Sequence, residues 1–293
     1  MAERPSIHDD PRLTPARHDL AAKHLEGKVA AARFAEGALH EVVAPQAPLR
    51  REPRLDAMLD TEALKGERVM VYDANEEGWS WGQLESDGYV GWLPTDALRL
   101  AGEPPTHTVS ALRTFVFPGP SIKLTPVETL SLGCKLRVVR VQAEFAVTAD
   151  NGFVPLRHLG DVNQRERDFI AVAERFIGTP YLWGGKSSLG LDCSALVQLA
   201  LTAAGVACLR DSDMQEQTLG APIVIGGDLS QLTRGDLLFW KGHVAIARDN
   251  ATLIHANAHH MAVAIEPIAE AVVRIRAAGS EISSVRRLED LVR

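Results

Sequence analysis

Three side chains in the second half of the sequence have the types and the order that nucleophilic amide chemistry needs. Cys193 directly follows a Gly-rich run, YLWGGKSSLGLDC, and opens an apolar stretch of helical period, CSALVQLALTAAGV. At a helix N-terminus the first backbone N–H groups and the positive end of the helix dipole favour a thiolate. The same N–H groups, that of Cys193 included, are placed to receive the oxyanion of a tetrahedral intermediate. A thiolate needs a proton carrier beside it, and His243, at the head of the strand-like run HVAIAR after the turn WKG, is the candidate. His255, inside the run TLIHANA, could orient it, because the third group only has to accept the imidazole N–H. Singly, each residue also has an ordinary structural reading: a free cysteine is usually a small buried hydrophobe, and a strand histidine usually has a satisfied hydrogen bond. The order of the three, a helix cysteine and then two strand histidines, is what points to a hydrolytic centre.

The elements that must position them are legible as changes of texture. Helix-compatible NQRERDFIAVAERFIG carries Phe169, Ile170, Val172, Ala173, Phe176 and Ile177 on one stripe, and the second helix stops at Gly205. With the strand-like DLLFW, HVAIAR and TLIHANA, residues 162–293 form one helix-first α+β domain. Upstream, residues 39–102 show short β-type runs (HEVVAP, ERVMVYDA, GWSWGQL, GYVGWLP) broken by Gly, Pro, Asn and Asp turns, the spacing of a small barrel. Residues 103–161 repeat the texture, and YVGWLPTDAL and FVPLRHLG make a weak internal repeat. Each β module is near the lower size limit for independent stability, so the two are expected to pack on one another. Residues 1–38 begin polar and turn Ala-rich, which predicts an arm or a short helix, and the last run, VRRLEDLVR, is short and amphipathic.

Composition narrows the partners. With 31 Lys plus Arg against 38 Asp plus Glu, the net charge of −7 disfavours nucleic acid and anionic lipid. No apolar stretch approaches the roughly 20 residues of a membrane-crossing helix, and MAERPSIHDDPRLTP lacks the apolar core of a secretory signal. A cytoplasmic location is therefore expected, with no nucleic-acid or membrane partner; nothing sets the oligomeric state. Cys134, Cys193 and Cys208 have no CxxC spacing, so neither a disulfide framework nor a zinc knuckle is expected, and Cys134 and Cys208 read as small buried hydrophobes. His259 and His260 close behind His255 invite a metal reading, but HExxH and paired-Cys spacings are absent, as is a phosphate-binding GxxxxGK[ST].

The run GTPYLWGGKSSLGLDCSALVQLALTAAG, followed by RGDLLFWKGHVAIA and LIHANA, resembles the NlpC family of papain-like bacterial cell-wall cysteine peptidases. The β modules resemble the bacterial SH3-type domains that often precede this catalytic domain, and the whole resembles the cytoplasmic γ-D-glutamyl-L-diamino acid endopeptidases of murein recycling. The resemblance implies a papain-like domain after two small SH3-like barrels, and cleavage of the γ-D-glutamyl–diaminopimelate bond of murein peptides with a free N-terminal L-Ala. No metal or organic cofactor is implied. It implies Cys193 as nucleophile, His243 as general base, His255 as the aligning group and Tyr181 on the oxyanion side. Trp183, Asp192 and Ser194 would line the γ-D-Glu pocket, with Arg210, Asp211 and Ser212 in a substrate-binding turn where Asp211 pairs with the free amine. Glu67 and Tyr89, in LKGERV and DGYVGW, would complete the amine site. Asp192 alternatively reads as a helix cap, Glu67 as a barrel-turn carboxylate, and Arg210 with Asp211 as a solvated loop pair. Two other functions fit the same residues: another Cys–His amidase or acyltransferase, and a wall-peptide-binding protein without catalysis.

Overall fold

In a computed structural model, residues 10–224 and 229–288 are described. The chain divides into two compact units, Met1–Asn163 and Gln164–Arg293. The first is almost entirely strand and short turn. Its main sheet has seven strands in the order Leu59–Leu64, Gln46–Arg50, Val90–Pro94, Trp79–Leu84, Arg68–Ala74, Ala38–Val42 and Leu98–Leu100. All four β runs read in residues 39–102 lie in it, with inward residues such as Leu49, Val69, Leu84 and Leu93 fully buried.

Residues 103–161 build three smaller sheets from short strands. The proposed repeat has a counterpart in the backbone. Val90–Pro94 leads through a 3-10 turn, Thr95–Ala97, into Leu98–Leu100. Phe153–Pro155 leads likewise through Leu156–His158 into Leu159–Asp161. Pro94 and Pro155, fixed in φ by their rings, enter both turns at nearly the same angles, −59°/130° and −53°/119°. The stretches are joined by Lys135 N–H donating to Lys65 O at 2.7 Å and by the Lys65–Glu128 ion pair at 2.8 Å.

The predicted N-terminal helix is not formed in the described residues. The Ala-rich segment instead gives a strand, Leu20–Ala22, a 3-10 turn, Lys23–Leu25, and a parallel partner strand, Arg33–Ala35. Leu20, Ala21 and Ala22 are all fully buried. Gly27, at φ +79°, breaks any continuation, and Arg17 stacks on Trp81 and Trp92 with centroid distances of 4.5 and 4.7 Å. Tertiary burial here outweighs the alanine propensity.

Among its described residues the second unit has four α-helices, α1 (Phe169–Glu174), α2 (Cys193–Ala203), α3 (Ser212–Thr218) and α4 (Ile268–Ala277). Its six-stranded sheet comprises β1 (Ala221–Ile223), β2 (Leu237–Trp240), β3 (His243–Ala247), β4 (Thr252–Asn257), β5 (Ala262–Pro267) and β6 (Ile282–Arg287), in the order β1-β6-β2-β3-β4-β5. The first helix is shorter than its stripe: Phe169, Ile170, Val172, Ala173 and Phe176 are buried, but Ile177 is half exposed beyond the helix end. The strands β3 and β4 are apolar on both faces because α2 packs against them, while Ala245, Ala247 and Leu253 join Ile268 and Ala271 of α4 in a second core. Of the run VRRLEDLVR, Val285–Arg287 belong to β6 and the end lies outside the described residues. No described helix is long and apolar enough to cross a membrane.

Candidate active site

The Gly-rich run delivers Cys193 to the start of α2. Gly184 takes φ +74°, and a Cβ on Gly185 would stand 2.5 Å from the Gly190 carbonyl oxygen, so this crossing requires glycine. Asp192 is the N-cap, its Oδ1 accepting the Ala195 N–H at 2.9 Å. The other oxygen accepts the Gly184 N–H at 2.9 Å, so one carboxylate closes both the loop and the helix end. Arg210, fully buried, donates to both Asp192 oxygens at 2.9 and 2.7 Å, to Ser194 Oγ at 2.8 Å and to Gly185 O at 3.2 Å. The solvated-loop reading of Arg210 is thereby overturned: it is the buried counter-charge of the cap, and Ser194 Oγ donates to Asp192 Oδ1 at 3.1 Å within the same network.

Cys193 is only 6 % exposed, and the backbone N–H groups of Val244 and Ser194 are directed at its sulfur. The sulfur therefore lies beside the first residues of β3, next in sequence to His243. Burial pushes the thiol up to about 12, aided by the Asp192 charge and only partly opposed by the two N–H groups and Arg210. Position at a helix N-terminus led to the expectation of a thiolate; desolvation outweighs it, and the resting group is a thiol.

The two histidines meet where the sheet opens. The β3–β4 ladder is closed at Ile246↔Ile254 and Ala247↔Leu253, beyond which His243 and His255 bridge the strands with Nε2 and Nδ1 at 2.9 Å. Alternation puts His243 on the face of Ala245 and Ala247, and Trp240 flanks it, ring centroids 5.7 Å apart. Burial lowers His243 to about 3 and His255 to about 4, so both imidazoles are neutral at rest.

Sequence reasoning missed what lies behind them. Register sets Glu266 of β5 opposite Leu253, on the His255 face, and its Oε2 is 3.1 Å from His255 Nε2. Arg274 of α4 folds back and donates to Glu266 Oε1 and Oε2 at 3.0 and 2.6 Å. Burial opposes the charge, yet Arg274 and His255 hold the Glu266 carboxyl below its usual range. The available signal was an inverted pattern in AVAIEP, where Glu266 is buried and the neighbouring Ile265 exposed. His255, His260 and Glu266 bring ligand atoms within 4.8 Å of one another. The set does not suit a cation, because Arg274 spans the carboxylate and His260 Nδ1 lies 3.0 Å from Asn257 Oδ1.

Tyr181 is carried by a segment pinned to the β4–β5 turn, its N–H donating to Met261 O at 2.9 Å. Its phenol is raised by burial and by the nearness of Cys193 and Asp192, which places it on the sulfur's side of the site. Trp183 is largely exposed, and Asp211 and Ser212 are half buried at the start of α3. In the other unit, Glu67 is buried with Oε2 accepting the Leu64 N–H at 2.7 Å, and Tyr89 is buried in the barrel.

A cysteine on a helix end beside an imidazole pair on an antiparallel sheet is the layout of a papain-like thiol hydrolase. Residues 178–280 match the NlpC/P60 family and residues 49–98 the bacterial dipeptidyl-peptidase SH3 domain. "Dipeptidyl-peptidase 6" of Lysinibacillus sphaericus is 29% identical over 238 residues, 74% of this chain and 86% of that protein. "Gamma-D-glutamyl-L-lysine dipeptidyl-peptidase" of Bacillus cereus is 27% identical over 244 residues, 72% and 71% of the two chains. A crystal structure of an NlpC/P60 family protein from Bacillus cereus superposes with a TM-score of 0.70 at 21% identity, covering 85% of this chain and 99% of that one. The chain is a cysteine peptidase that carries an NlpC/P60 domain behind a bacterial SH3 domain, and it is homologous to γ-D-glutamyl-L-lysine dipeptidyl-peptidases.

Proposed function

We propose that this protein is an endopeptidase of murein peptides that cleaves the bond between γ-D-glutamate and the diamino acid in peptides with a free N-terminal L-Ala. In this reading His243 takes the Cys193 proton as the sulfur attacks the γ-carbonyl carbon, forming a tetrahedral oxyanion held by helix N–H groups and Tyr181. Collapse to a thioester expels the diamino acid amine, which His243 protonates, and His243 then activates water to release the acid and restore the thiol. The observation that carries it is the His243–His255 hydrogen bond on strands beside the Cys193 sulfur. The relatives' names supply the substrate class.

Asp211, Glu67 and Tyr89 would bind the free amine, so that peptides still linked to sugar are rejected for want of the charge. That discrimination fits a role in recycling released peptides in the cytoplasm. The strand–Pro–turn–strand unit shared by residues 90–100 and 153–161 supports a second SH3-type module. The test is turnover of L-Ala-γ-D-Glu-diaminopimelate and its lysine counterpart, free and N-acetylated, by wild type and by Cys193→Ala and His243→Ala. Loss in both variants and selectivity for the free amine are expected; near wild-type turnover by either variant overturns the assignment.

A further inference from the structure

The proton positions on the two histidines are fixed from outside the cysteine–histidine set. Glu266 is held by Arg274 through both oxygens, so it is a carboxylate, and a carboxylate only accepts hydrogen bonds. His255 Nε2, 3.1 Å from Glu266 Oε2, must then be the nitrogen that carries hydrogen. In a neutral imidazole the other nitrogen has the lone pair, so His255 Nδ1 accepts. Its partner at 2.9 Å, His243 Nε2, must donate, which leaves the basic lone pair of His243 on Nδ1.

From this chain of acceptors and donors we infer that Glu266, anchored by Arg274, is a positioning residue that sets the tautomers of both imidazoles and keeps His243 Nδ1 unprotonated for proton transfer. The inference rests on the reading of His243 as the base and adds two members behind it. Neither touches the sulfur; Glu266 acts through His255. The charged and titratable groups around the pair are Glu266, Arg274 and His260, with Asp192, Arg210 and Tyr181 around the sulfur. Protonation of His243 during turnover creates a cation whose charge is felt along this row by a carboxylate already in place, so little has to reorganise.

The first test needs neither substrate nor variant: 15N shifts of the imidazoles in the full-length wild-type protein at neutral pH. Hydrogen on Nε2 and a lone pair on Nδ1 are expected for both His243 and His255. Hydrogen on Nδ1 of either one overturns the inference, and this outcome is independent of which peptide is cleaved. The second test is Glu266→Leu. His255 Nε2 then has no acceptor from Glu266, so nothing holds hydrogen on that nitrogen and the tautomers of both imidazoles are no longer set. The expected result is a fall in kcat on the order of 100-fold with KM unchanged, the scale of a lost general base. Arg274→Lys, which keeps a cation on the carboxylate, should retain both the tautomers and most of kcat. Unaltered kcat or unaltered imidazole shifts in Glu266→Leu also overturn the inference, and if that variant does not fold the wild-type shifts decide. Full turnover by Cys193→Ala would instead remove the catalytic reading while leaving the tautomer result standing.

Discussion

Arg210 and Asp192 form a two-pronged ion pair, 2.9 and 2.7 Å, with the arginine wholly buried and the aspartate capping the helix that carries Cys193. Removing one member of a buried pair leaves the other charge unpaired, which costs about 3–5 kcal/mol. Arg210→Met should therefore lower the free energy of unfolding in urea by about that amount. A residue serving only substrate contact would give unchanged stability with a raised KM, and that result would remove the positional role.

Cys193 offers a second check. With the thiol pushed up to about 12 by burial and His243 lowered to about 3, the resting pair is neutral. Carboxymethylation of the free enzyme should be slow near neutrality and rise steadily with pH through the range in which the protein stays folded, since only the thiolate reacts. A plateau beginning below pH 7 would show a preformed thiolate–imidazolium pair and contradict the neutral resting state. Cys134 is buried and pushed up to about 12 as well, so the modified position must be read by peptide mapping.

The legibility of the site divides by distance along the chain. Cys193, His243 and His255 could be ordered from sequence because the first two open, and the third lies within, a periodic run whose type is set locally. The pairing of Arg210 with Asp192, and of His255 with Glu266 and Arg274, depends on strand register and helix placement, which no local period encodes. Helix α4 was legible and went unread: Ile268, Ala271, Val272 and Ile275 follow the i, i+3, i+4, i+7 stripe and all face the core. The N-terminal segment failed for the opposite reason. Its alanines satisfy helix propensity, but burial of Leu20–Ala22 and the seating of Arg17 between Trp81 and Trp92 decide its shape.

Stability against pH follows from the same burial. His255 falls from its ordinary 6.5 to about 4 in the folded protein. Between those values the unfolded chain binds a proton that the native state does not, so stability rises with pH. The stabilisation is complete above pH 6.5 and is lost as the pH falls toward 4. One such group contributes at most about 1.4 kcal/mol per pH unit to the slope. His255→Gln should flatten the fall in unfolding free energy across this window, with the variant compared at pH 7 to account for its lost hydrogen bonds. An equally steep decline in the variant would place the acid sensitivity elsewhere.

Glu67 carries two separable expectations. Its Oε2 accepts the buried Leu64 N–H at 2.7 Å while its own N–H donates to Leu64 O at 2.9 Å, closing the turn around Gly66, which has φ +80°. Glu67→Ala strands the Leu64 N–H and should cost about 1–3 kcal/mol in denaturation. Glu67→Gln keeps an oxygen acceptor and should leave stability near wild type, so any effect on catalysis reports the charge alone. A hydrogen bond to a charged group contributes about 1.5–3 kcal/mol, and losing it at the peptide's ammonium should raise KM about tenfold or more. The N-acetylated peptide, which has no ammonium, should show no such change. An unaltered KM for the free peptide with Glu67→Gln would confine Glu67 to the turn and leave Asp211 and Tyr89 to account for amine selectivity.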